Sequence, residues 1–184
     1  VLGEEQAGDF RILIQQALNN TDARIAEGLP VTPTFLFAVL LWGPIRELAQ
    51  AKLASGMSEF AALNEAGDEV IAAQQAFVSI PRRFFIPMRE MLAMQPRFLN
   101  RQGKRASRLL GHPRFRAAYD FMLLRAQAGE VDAETAQWWT EIQTKNPEQQ
   151  GKEIGSGGDK PAGATRKRRR RRRPRKAATP SNDA

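Results

Sequence analysis

The sequence predicts an all-α body followed by a disordered basic tail. Three observations carry that expectation. Apolar residues such as Phe10, Leu13, Ile14, Ala17 and Leu18 recur at the three-and-four spacing that gathers them on one helical face. No segment alternates apolar and polar residues as a half-buried strand would. Beyond about Thr144, Lys, Glu, Gln, Gly and Pro displace the apolar residues that could anchor a fold. The expected division is therefore 1–8 as a linker start, 9–143 as the helical body and 144–184 as a disordered arginine-rich tail.

Taken in order, Asp9 is suited to cap the first helix, and Asn19-Asn20-Thr21-Asp22 to interrupt or re-cap it. Thr32-Pro33 is a start signal, because threonine can accept from an orphan amide and proline lacks the amide left unpaired there. Phe35 to Trp42 form a central helix, Gly43-Pro44 breaks or bends it, Ile45 to Leu53 resume and Ser55-Gly56 closes it. Ser58 opens a helix expected to reach about Ile80. Pro81, Pro87, Pro96 and Pro113 then divide the chain into short basic helices, since proline removes a donor and clashes with the preceding turn. A last helix begins near Asp132, whose charge suits the positive end of the helix dipole, and includes Trp138 and Trp139. Gly151 to Gly163 reads as a spacer.

With 184 residues, 42% of them hydrophobic, the chain has material for one core. It contains no cysteine, which excludes disulfides, thiolate metal sites and cysteine nucleophiles. The longest apolar run, Phe35 to Trp42, is far short of the roughly 20 residues that cross a bilayer, and no signal peptide is visible. A cytoplasmic monomer is expected, and the start at Val1 reads as that of a fragment.

Charge is distributed unevenly around a net +8. Residues 1–81 hold four basic and ten acidic residues, residues 82–125 hold eleven basic and two acidic, and residues 144–184 hold thirteen basic and four acidic. Two separate basic regions follow, one in the body and one in the tail.

The stretch Arg101-Gln102-Gly103-Lys104-Arg105-Ala106, with Leu109-Leu110 and His112-Pro113-Arg114-Phe115-Arg116-Ala117-Ala118-Tyr119-Asp120, resembles the C-terminal region of bacterial poly(A) polymerases. Asn20-Thr21-Asp22, Arg24-Ile25, Pro33, Phe35-Leu36-Phe37-Ala38, Leu48-Ala49-Gln50, Ile80-Pro81-Arg82-Arg83 and Trp138-Trp139 extend the resemblance across residues 11–143. The resemblance implies an enzyme that uses ATP and Mg2+ to add AMP to RNA 3′ ends, with a catalytic head before these helices. It implies single-stranded or poly(A) RNA as partner, and RNA-decay or RNA-chaperone proteins as further candidates. Such a head holds its metal ions on an Asp-x-Asp pair. This sequence contains no Asp-x-Asp and no Gly-x-x-x-x-Gly-Lys-Ser/Thr loop, so it is assigned no catalytic residue and no metal ligand, and the fragment alone is expected to be inactive.

Guanidinium groups pair with phosphate through paired donors and stack on bases, which suits a single-stranded 3′ end. Lys104, Arg105 and Arg108 are the first candidates, because Gly103 permits a turn close to phosphate and the three cations follow it on one helical turn. Arg101 can join them, Arg82, Arg83 and Arg89 form a second group, and Arg114 completes the set. The competing reading is a solvated face, or arginines paired with the acidic N-terminal half. Arg116 has its own local alternative in Asp120, four residues on. In the tail, Arg166, Lys167, Arg168, Arg169, Arg170, Arg171, Arg172, Arg173, Arg175 and Lys176 form a polyanion-binding block, against which stand a localisation signal, ribosome or lipid attraction, and a solubility role.

His112 is the only histidine and reads as a turn residue; one histidine cannot support a histidine-aspartate phosphohydrolase. Phe84, Met88 and Met91, like Phe115, Tyr119 and Met122, read as core, while Trp138 and Trp139 cannot both face one core. Two rival functions remain: a non-enzymatic RNA- or ribosome-associated scaffold, and a relative of tRNA nucleotidyltransferases. The arginine block argues against the latter.

Overall fold

The computed structural model describes residues 4–155. Among the described residues every regular element is helical: α1 (Glu4–Ala26), α2 (Pro33–Ala54), α3 (Glu59–Gln74), α4 (Phe85–Ala93), α5 (Gly103–Leu110), α6 (Phe115–Gln127), α7 (Ala133–Thr144) and α8 (Pro147–Gly155). Two 3-10 turns, Arg82–Phe84 and Gln95–Leu99, flank α4.

The central element is α2, which packs against α1, α3, α4 and α6. Its Ala38, Val39, Leu41, Trp42, Ile45 and Ala49 are all buried. Pro33 occupies its first turn as expected, but Thr32 makes no side-chain cap bond. The expected break at Gly43-Pro44 does not occur, and α2 runs through Pro44. Leu40 and Pro44 are both exposed, so the carbonyl deprived of a partner lies on the solvent side while Trp42 and Ile45 fix the buried side. Gly43 has a packing reason of its own. A Cβ there would stand 2.9 Å from the Phe10 ring, so glycine lets α1 lie against α2. The turn of Ser55 and Gly56 closes α2, with Gly56 at φ +94.

Three further boundaries differ from expectation. Asp9 lies inside α1, which starts at Glu4, and the Asn19-Asn20-Thr21-Asp22 segment does not interrupt it. Thr21 Oγ1 instead donates to the Ala17 carbonyl at 2.7 Å, joining the helix rather than competing with it. Ser58 caps α3, accepting from the Ala61 amide, but the helix stops at Gln74 rather than near Ile80. Ile80 precedes Pro81, a position that disfavours helical backbone, and it folds back into the core. Pro87 and Pro96 lie within the first turns of their elements, where an amide has no intrahelical partner, and so start helices rather than end them.

The body also continues past residue 143. Asp132 caps α7 through its Oδ1 on the Thr135 amide at 2.7 Å, but α7 is not the last helix. Within α8, Ile154 is only 3% exposed and joins the common core, so the expected boundary at 144 is too early. The arginine block at 166–176 lies outside the described residues.

The aromatic residues expected in the core are there, but Trp138 and Trp139 both pack on the one core, Trp139 within it and Trp138 at its margin. Trp139 is fully buried and donates its indole N–H to the Phe98 carbonyl at 2.8 Å, whereas Trp138 is half-buried at 4.8 Å from it, ring to ring. Met88, Met91, Phe115, Tyr119 and Met122 are buried and Phe84 packs at the core margin.

Candidate nucleic-acid interface

The basic segment 82–125 divides into three kinds of cation once its neighbours are in place. The first kind is neutralised across the fold. Arg89 meets Asp68 of α3 at 2.9 Å, Arg101 meets Glu134 of α7 at 2.7 Å, and Arg114 meets Glu90 of α4 at 3.4 Å. Arg116 pairs with Asp120 at 3.1 Å, as its spacing predicts. Burial pushes the Asp120 carboxyl up, against the Arg116 charge that lowers it.

The second kind is built into the body. Arg125 donates from Nε to Glu130 at 3.0 Å and from Nη1 to Gln95 Oε1 at 3.2 Å, with its guanidinium 4.6 Å from the Trp42 ring centroid. Burial lowers its pKa, and the Glu130 carboxylate beside it opposes that. Arg46 and the Trp42 indole N–H also donate to Glu130, at 2.5 and 2.8 Å. These groups line a cleft of about 440 Å³ that Asp9 and Glu59 also border. Sequence reasoning missed this cluster, because its members come from four separate elements or turns and carry no motif.

The third kind is uncommitted. Lys104, Arg105 and Arg108 are exposed on α5 and make no hydrogen bond or ion pair among the described residues. Positions 104 and 108, and 105 and 108, are four and three apart, so the three cations share one side of the helix. Ala106 and Leu109 face the core from the other side. Gly103 adopts φ +68 at the helix start, the left-handed turn that the sequence suggested, and Gln102 supplies no side-chain cap. Arg82 is likewise exposed on the turn before α4, at the rim of a 360 Å³ groove that Arg89, Phe85 and Ile86 also line. Arg83 lies 4.8 Å over the Phe84 ring.

Lys104, Arg105 and Arg108 thus share α5, while Arg82 and Arg83 lie on the turn before α4 and Arg89 within α4. His112 is a turn residue: its Nδ1 accepts from the Arg114 amide at 3.1 Å. Among the described residues no three His, Cys, Asp or Glu side chains cluster as a metal site would require, and no helix is long and apolar enough to cross a membrane.

This is a helical module with a cationic helix face and no catalytic cluster among its described residues. The chain belongs to the family described as polymerase A arginine-rich C-terminus, whose pattern matches residues 55–176. It is 42% identical over 173 residues to poly(A) polymerase I of Salmonella typhi, covering 91% of this chain and 37% of that protein. It is also 42% identical over 143 residues to poly(A) polymerase I of Escherichia coli O6:H1, covering 75% of the chain and 30% of the relative. Poly(A) polymerase I of Haemophilus influenzae is 37% identical over 139 residues, 74% of the chain and 31% of the relative. The chain therefore spans about a third of the length of these relatives and corresponds to a poly(A) polymerase C-terminal region.

Proposed function

We propose that this chain is the RNA-holding region of a template-independent polymerase that adds AMP from ATP to RNA 3′ ends, as in mRNA polyadenylation and decay. The observation that carries the reading is the α5 face. Lys104, Arg105 and Arg108 stand together without ion-pair partners among the described residues, while Arg89, Arg101 and Arg114 are paired with carboxylates. Exposed guanidinium groups can grip phosphate through paired donors, and the start of α5, which Gln102 does not cap, favours the same charge. Phosphate contacts of this kind fix the register of a strand without reading its bases.

The chain's own residues do not fit ATP and Mg2+. No Asp-x-Asp occurs, and among the described residues no three His, Cys, Asp or Glu side chains are grouped so as to hold a metal ion. The nucleotidyl-transfer chemistry is accordingly assigned to residues outside this chain, and here the role is electrostatic positioning. The arginine block at 166–176 adds a second polyanion-binding segment, in a cytoplasmic monomer that can also meet RNA-decay proteins.

The test is binding of a fluorescent oligo(A) to the full chain across a salt series. Two variants decide it: Lys104→Ala/Arg105→Ala/Arg108→Ala, and a tail form with Arg168–Arg173 changed to Ser. Each phosphate contact on a single strand contributes about −0.7 to the slope of log affinity against log salt, so the α5 triple variant should flatten the slope by about two. The tail variant should keep salt-dependent binding, and adding the α5 changes should remove it. If all affinity vanishes with the tail arginines, the body is a protein-docking scaffold and the α5 assignment is wrong.

A further inference from the structure

We propose that the groove between α3 and α4 is a docking site for an acidic amphipathic helix of a partner protein, separate from the α5 face. The two most exposed large apolar side chains among the described residues belong to this region: Phe77 at 84% and Ile86 at 68%. Ile86 lines the groove together with Phe85 and Ile71. Phe77 and the exposed Val78 lie on the connection that follows Gln75, another lining residue. That connection is tied at both ends. The Phe77 and Val78 amides both donate to the Gln74 carbonyl, at 3.0 and 2.8 Å, and Ile80 is buried in the core. Between these anchors two apolar side chains stay in water beside an apolar groove, with no contact inside the body to offset their hydration.

Shape, lining and charge select the occupant. The groove runs between two helices, and no strand exists among the described residues for an extended peptide to pair with, so a helix laid in the groove is the mode that fits. Its volume of about 360 Å³ lies at the small end of ligand pockets and suits a few side chains rather than a folded domain. The aliphatic Ile71 and Ile86 and the Asp68 carboxylate suit a nucleic-acid strand poorly, since bases stack on flat faces and phosphate avoids a carboxylate. Charge favours an acidic partner. Arg82 lines the groove, is exposed and makes no ion pair among the described residues, whereas Arg89 is offset by Asp68 at 2.9 Å. Arg83 stands on the same turn as Arg82. A second copy of this chain fits less well, because a two-fold contact sets one patch against itself and would bring Arg82 and Arg83 toward their own counterparts.

The test uses the full chain and a synthetic peptide of about sixteen residues, with Leu at i, i+3, i+4 and i+7 on one helical face and Glu elsewhere. A scrambled peptide of the same composition and a patterned peptide with Lys in place of Glu are the comparisons. Amide resonances are followed by NMR through each titration. The acidic patterned peptide should give saturable shifts across residues 68–89 and leave α5 unmoved. Phe77→Ser with Ile86→Ser should weaken it about tenfold. Arg82→Glu should weaken it about threefold and tighten the Lys peptide instead. Phe77 and Ile86 are exposed, so the double variant should unfold at the same urea concentration as the parent and bind oligo(A) equally well.

Equal binding of the scrambled peptide overturns the site, as does the lack of any saturable shift at about 1 mM peptide. Shifts at residues 68–89 caused by oligo(A) would make this surface part of the RNA path. Self-association of the parent chain that Phe77→Ser with Ile86→Ser abolishes would make it a contact between copies. Either result overturns the proposal. Peptide and oligo(A) are read separately, so failure of the α5 assignment leaves this site standing.

Discussion

Glu130 shows how a single residue can organise the centre of this body. Its side chain is 5% exposed and accepts from Arg46, Trp42 and Arg125 together. Two guanidinium groups and one indole N–H have been withdrawn from water, and this carboxylate's charge offsets part of the cost, with Glu59 adding to it at Arg125. Removing one partner of a buried ion pair costs about 3–5 kcal/mol, since the remaining charge cannot regain its water. Glu130→Gln should therefore lower unfolding stability by that amount in a urea titration. A change below about 1 kcal/mol would mean the pairs are screened as surface pairs are. Nothing in the sequence marks Glu130, which lies five residues from Arg125 but 84 from Arg46. His112 is the opposite case: a lone histidine before proline reads as a turn residue, and its Nδ1 bond to the Arg114 amide makes it one.

At the scale of elements, the caps at Ser58 and Asp132 were legible, whereas those expected of Asp9 and Thr32 and the expected interruptions were not. Asp132 and Ser58 accept the amide bonds their positions suggest. Asn19 to Asp22 and Gly43-Pro44 carry local signals just as plain, yet α1 and α2 run through them, because packing of Leu13, Ala17, Trp42 and Ile45 outweighs local preference. The Asp132 cap also sets a pH dependence. Bonds from the Thr135 amide and then its hydroxyl hold the Asp132 carboxyl below its ordinary value of 3.8. A folded-state value below the unfolded one means the stabilisation is complete above about pH 4–5 and disappears as pH falls through the folded value. Asp132→Asn keeps a capping oxygen that does not titrate. Its melting temperature should fall less steeply than that of the parent chain between pH 5 and the acid limit. Parallel curves would remove the cap from the acid response.

For the whole molecule the governing fact is how internal carboxylates select among the arginines. Pairs between exposed groups contribute about 0–1 kcal/mol each to stability, but they also leave a cation with less to offer a phosphate. Changing Arg89, Arg101 and Arg114 together to Ala should therefore reduce oligo(A) affinity much less than changing Lys104, Arg105 and Arg108, although both remove three positive charges. Equal losses in the same assay would show that net charge alone attracts RNA and that the α5 arrangement is incidental. The sequence by itself determined the helical class, because helical periodicity and the absence of alternation are local properties. It also placed the two basic regions along the chain and carried the family resemblance in residues that need no partner to be recognised. Only the tertiary structure decided which cations remain available and where the body ends. The pairs that neutralise Arg89, Arg101 and Arg114 join residues 21, 33 and 24 positions apart. Likewise α8 has one large apolar side chain, Ile154, and acquires its place only because α5 and the end of α7 are there to receive it. Ion pairing and burial act through space, and distance along the chain carries no record of either.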